Sequence, residues 1–108
     1  MLAKLEKRTG TTLPDFLLLM HDDLTSPEET AAWGPYLAEL RKAGVFEGGS
    51  SIGKGDSVRK SGAVAPPAAI VGFVRITAPS LEAAKALVAG NPVYEAGGTV
   101  EIRLLDEG

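Results

Sequence analysis

Four strand-like stretches alternate with two helix-like stretches in this chain, and their order leaves few folds open. Phe16-Leu17-Leu18-Leu19-Met20 is a short unbroken apolar run. Its length suits a strand buried on both faces, since a helix needs ten or more residues. Val45-Phe46-Glu47 reads as a second, brief strand. From Ala69 to Thr77 the pattern alternates, with Ile70, Gly72, Val74 and Ile76 on one side and Val71, Phe73 and Arg75 on the other. Thr99 to Leu105 alternates again, setting Val100, Ile102 and Leu104 against Glu101 and Arg103.

The helix signals fall between these strands. Ser26-Pro27-Glu28-Glu29 combines an N-capping serine, a proline suited to the first helical position and a glutamate that completes a capping box. Trp33, Tyr36, Leu37 and Leu40 follow at helical spacing, and Gly44 supplies a stop. Gly34-Pro35 interrupts this pattern, because an interior proline removes a hydrogen bond and clashes with the preceding turn. The interruption predicts a kink, or a short turn followed by a helix starting at Pro35. Pro79-Ser80-Leu81-Glu82 opens the second helix, whose apolar face is Leu81, Ala84, Leu87 and Val88, with Gly90 as its end and a turn at Asn91-Pro92. Residues 48–68 form a long Gly-, Ser-, Ala- and Pro-rich connection, with a short exposed strand expected over Asp56 to Lys60.

The order β-α-β-β-α-β predicts an α+β domain of ferredoxin-like type, with an antiparallel sheet carrying both helices on one face. Two short helices leave the other sheet face bare. A homodimer that pairs through that face is the natural solution.

A chain of 108 residues suits one domain, with residues 1–14 as an N-terminal extension and 15–108 as the domain itself. A net charge of −3 and scattered Lys and Arg residues argue against nucleic-acid partners. No run approaches the roughly 20 apolar residues of a membrane span. The first ten residues carry charges where an export signal needs an apolar centre, so a cytoplasmic protein is expected. The chain has no cysteine, which removes disulfides, thiolate catalysis and cysteine-rich zinc sites. No cofactor is expected.

The polar candidates are few. His21 is the sole histidine and stands at a strand end, where it could act as a general base oriented by Asp22 or Asp23. The plainer alternative is a solvated turn in which these aspartates bond backbone amides. Strand alternation also keeps His21 and Asp22 from lining one pocket unless the strand has already ended. With no His-x-x-x-His spacing, His21, Asp22 and Asp23 do not make a metal site. Gly48 to Lys54 matches the first part of a phosphate-binding loop, but Gly55 stands where a magnesium-binding hydroxyl is needed and no helix follows. Ser50, Ser51 and Lys54 remain as a rim that could bind an anionic ligand, or as part of a mobile loop. Trp33 and Tyr36 fit core or dimer packing, while the Tyr36 hydroxyl could also face a cleft between helix and sheet. Asn91, Tyr94 and Glu95 follow the second helix and read first as a turn.

Several of these features together resemble the YCII-related proteins. They are the strand Phe16 to Met20 running into His21-Asp22-Asp23, the helix carrying Trp33, Tyr36 and Leu37, and its end at Ala43-Gly44-Val45. Val71-Gly72-Phe73, Ser80 to Ala84, Asn91-Pro92 and Gly97 to Leu104 continue the likeness, which spans roughly residues 15–106. The resemblance implies a dimeric α+β barrel, similar to that of muconolactone isomerases, and implies no particular reaction. Two departures stand out. Many relatives carry Asp-Gly-Pro-Phe before the third main strand, where this chain has Ser61-Gly62-Ala63-Val64-Ala65-Pro66-Pro67. Some relatives are thought to pair a first-helix histidine with an aspartate, and the comparable position here is Tyr36. Two functions follow as expectations. One is a small-molecule enzyme with acid/base chemistry at His21, supported by Asp22 and Tyr36. The other is a non-catalytic dimeric module that binds a ligand or assembles.

Overall fold

Residues 13–106 are described by the computed structural model. Four strands are β1 (Asp15–His21), β2 (Phe46–Ser51), β3 (Ile70–Thr77) and β4 (Val100–Leu104). They form one sheet in the order β2-β3-β1-β4, and every neighbouring pair is antiparallel. Three α-helices interleave with them: α1 (Trp33–Lys42), α2 (Leu81–Ala86) and α3 (Pro92–Glu95). The chain is therefore an α+β domain, as its alternating patterns imply.

Register decides which residues become core. Phe16 pairs with Ile76, Leu18 with Val74 and Met20 with Gly72, so these six share one face of the sheet. Leu18 and Ile76 are fully buried there, in one cluster with Tyr36 and Leu40 of α1, Ala84 of α2 and Val93 of α3. Burying each large side chain contributes about 1.5–3 kcal/mol. The pairing shifts register after Met20, and beyond that point Val71 rather than Ile70 packs against the core. Leu17 and Leu19 point away from the core and are only half-buried. Within the single chain β1 is thus fully buried on its core face and half-buried at Leu17, Leu19 and His21 on the other.

The first helix starts later than its capping signals suggest. Residues 26–29 are not helical, and Thr30–Ala32 make a single 3-10 turn before α1. The Ser26 hydroxyl donates to Ala96 O at 3.2 Å instead of capping a helix, and Glu29 makes no side-chain cap. Pro35 then falls in the first turn of α1, where the missing N–H would have had no intrahelical partner, so no kink forms. This is the turn-then-helix alternative, two residues early. In the second half, Ser80 caps α2 by accepting from Ala83 N at 3.1 Å. Where a turn was expected, Asn91 caps the short α3 by accepting from Val93 N and Tyr94 N.

β2 runs beyond the expected Val45–Glu47, and its Gly48 to Ser51 pair with β3. Residues 52–69 are without regular structure, so no strand forms over 56–60. The extension expected over residues 1–14 falls mostly on residues 1–12, outside the described residues. Among the described residues no helix is long and apolar enough to cross a membrane.

Candidate functional site

Trp33, Leu37 and Arg41 recur every fourth residue of α1 and so share one stripe along the helix. That stripe faces Phe46 and Ser51 of β2 and Val74 of β3 across a cleft of about 480 Å³. The volume suits a small organic molecule. Met20 and Val93 extend the apolar lining. A side chain at Gly72 would meet Met20 Cε and Ser50 O, each at 3.3 Å, so the bare glycine keeps this part of the wall open.

Polar groups stand toward the two ends of the stripe. Near its start, Trp33 Nε1 donates to Glu28 Oε2, and the indole meets the Tyr36 ring edge-on at 5.9 Å. Near its end, the Arg41 guanidinium lies over the Phe46 ring, 4.7 Å from its centroid. Both groups come from the half of the fold where α1 turns back into β2.

The expected catalytic trio is not assembled. His21 Nε2 lies 2.9 Å from Glu101 Oε1, and Arg103 Nη1 donates to Glu101 Oε2 at 3.0 Å. Strand alternation puts His21 and Glu101 on the sheet face away from the helices. The His21 hydrogen bond, and after it Arg103, holds the Glu101 carboxyl below the usual range. Asp22 is exposed, and its backbone N–H donates to Ala69 O. Asp23 accepts from Thr99 N at 2.8 Å and from Thr99 Oγ1 at 2.6 Å, closing the turn after β1 onto the start of β4. Those Thr99 bonds hold its carboxyl low. Neither aspartate hydrogen-bonds His21; the plainer reading of Asp23, a carboxylate tying down a backbone amide, is the one that forms.

Tyr36 is on the helix side of the sheet but faces α2 and not the cleft. Its hydroxyl donates to Leu87 O at 2.7 Å, and burial pushes its pKa up, partly offset by the Asn91 side chain. The sheet thus separates Tyr36 from His21.

Ser50 and Ser51 do line the cleft, with the Ser50 hydroxyl donating to Ser51 O at 2.8 Å. Lys54 is exposed beyond the end of β2 and does not line it. The phosphate-loop likeness is cut in two, since Gly48 to Ser51 are strand and Gly53 to Gly55 are exposed coil with no helix behind them. Asn91 is buried as a helix cap, Tyr94 is exposed, and Glu95 accepts from Gly90 N at 2.9 Å. Among the described residues no three His, Asp or Glu side chains gather as metal ligands would.

Sequence reasoning missed Glu28, Arg41, Phe46 and Val74. The four-residue recurrence of Trp33, Leu37 and Arg41 was the available signal, hidden because Arg41 is not apolar. Nothing in the order of residues announces that Phe46 lies under Arg41.

A model of the YCII-related domain matches residues 15–107 of the chain. No curated protein and no solved structure matches it.

Proposed function

The chain belongs to the YCII-related family, and from that premise we propose that it is a small-molecule-binding module whose ligand lies between α1 and the β2–β3 half of the sheet. The observation that carries this reading is the cleft of about 480 Å³ walled by Trp33, Leu37, Phe46 and Val74. Its apolar walls supply affinity and its few polar groups supply orientation. His21 stands on the other side of the sheet, so acid/base chemistry at His21 would not act on a ligand held there. The non-catalytic reading is therefore preferred to the enzyme.

The strand order β2-β3-β1-β4 with helices packed on one face supports a ferredoxin-like fold. We propose that two copies pair through the opposite face into an α+β barrel in the cytoplasm. Leu17, Leu19 and Phe73 lie half-buried on that face, with the Asp15–Arg75 ion pair and the His21–Glu101 pair beside them. Half-buried apolar side chains beside paired polar groups suit a contact surface.

A thermal-shift screen of a metabolite library tests the site. Ligands should raise the melting temperature of the wild type and not of Leu37→Trp, which fills the cleft from the half-buried middle of the stripe. Hits that stabilise both proteins equally, or no hits at all, sink the reading. Sedimentation velocity tests the pairing, and a monomer at micromolar concentration would refute it.

A further inference from the structure

The charges around the cleft are unequal in what they leave available. Among the described residues lining it, Arg41 is the one cation and Glu28 the one carboxylate. Glu28 is engaged by the Trp33 indole. The Arg41 side chain has no hydrogen-bond or ion-pair partner among the described residues, and its guanidinium lies over the Phe46 ring. The contact with Phe46 uses the face of the ring and occupies none of the guanidinium N–H donors, whose fork matches a carboxylate.

Distance along the helix sets the size of what fits. Eight residues separate Trp33 from Arg41, which is about 12 Å at 1.5 Å per residue. Between them the wall is mostly apolar, with Leu37 on the helix, Val74 and Met20 on the sheet, and Val93; Ser50 and Ser51 are its polar exceptions. An anion with no apolar body would leave these walls wet. A neutral apolar molecule would leave the forked donors of Arg41 unused.

We infer that the ligand class is an amphipathic carboxylate, with its head on Arg41 beside Phe46 and its apolar body laid along α1 toward Trp33. This rests on the cleft being the ligand site and adds the chemistry of the ligand. The head group is read by one fork, so the body tolerates variation while the charge does not. Arg41 is exposed and outside the buried core, so replacing it leaves the fold intact.

The test compares 4-phenylbutyrate with the neutral 4-phenylbutan-1-ol by calorimetry on the full chain, in wild type, Arg41→Met and Leu37→Trp. The wild type should bind the carboxylate at least about tenfold more tightly than the alcohol, with an affinity that falls as salt is raised. Arg41→Met should bind the two alike, at the level of the alcohol. Leu37→Trp should bind neither. Equal binding of both compounds by the wild type, abolished in Leu37→Trp, would overturn the carboxylate inference and keep the cleft. Unchanged binding in Leu37→Trp would overturn the cleft as well. Failure of the wild type to bind either compound counts against the carboxylate inference, because both fit the length and the walls. In that event the library screen decides the cleft separately.

Discussion

Replacing Tyr36 by phenylalanine removes one oxygen and nothing else from the core, and the contacts of that oxygen set what is lost. Tyr36 is 6% exposed, and its hydroxyl donates to Leu87 O at 2.7 Å, tying α1 to the end of α2. A hydrogen bond of this kind contributes about 0.5–1.5 kcal/mol net, and stranding a buried partner costs about 1–3 kcal/mol. Leu87 is half-buried, which favours the lower range. The expected loss is about 1 kcal/mol, or about 4–8 °C of melting temperature for a domain of this size. The pH dependence gives a second check. Burial raises the hydroxyl pKa of the folded protein above its ordinary value. In the unfolded chain the hydroxyl ionises near pH ~10. Above that pH the unfolded state sheds a proton that the folded state keeps, so wild-type stability falls as pH rises. The Tyr36→Phe variant has no such proton to lose. The advantage of the wild type should therefore be constant below about pH 10 and shrink above it. Urea denaturation across this range measures both effects. A difference under about 0.3 kcal/mol at neutral pH, or one that grows above pH ~10, refutes the reasoning. Ligand affinity of the folded variant should not change, since Tyr36 does not line the cleft.

Gly97 has φ +87°, and a Cβ there would overlap Thr25 Oγ1. Gly97→Ala should cost about 2–4 kcal/mol by denaturation, from the left-handed backbone and the overlap together. Adding Thr25→Ala should recover the overlap and leave the backbone part. Asp23 contributes stability that is present above its ordinary pKa of 3.8 and is lost as pH falls through the lower folded value. Amide exchange at Thr99 should report this directly, with protection that Asp23→Ala lacks at neutral pH. Leu18→Ala, at a fully buried position, should lose about 2–5 kcal/mol in urea titration without changing the sheet order.

Periodicity made much of this legible. Alternation in residues 69–77 separated the core-facing Gly72, Val74 and Ile76 from Phe73 and Arg75, because a strand's side chains must point to opposite faces. It misplaced Ile70, since the register shift beside Met20 is made by two strands together. Ser80 capped its helix, since a serine oxygen there meets a free amide within three residues. Ser26 carried the same local signal and did not cap. Its hydroxyl found Ala96 O, seventy residues away, and a tertiary partner outweighed the local one. Asn91 was read as a turn and became a cap, because packing of Val93 against the core fixed a helical turn behind it.

The chain's own order determined the α+β class, the four main strands and most of the apolar faces, because these depend on spacings of two and of three to four residues. Tertiary structure alone decided the site. His21 meets Glu101 across eighty residues, through the pairing register of β1 with β4. Arg41 meets Phe46 because α1 turns back on β2. Which side of the sheet a side chain faces is set by register, and register is a property of two strands at once. No single stretch of sequence contains it, so the placement of His21 on the face away from the cleft shows only once the strands are paired.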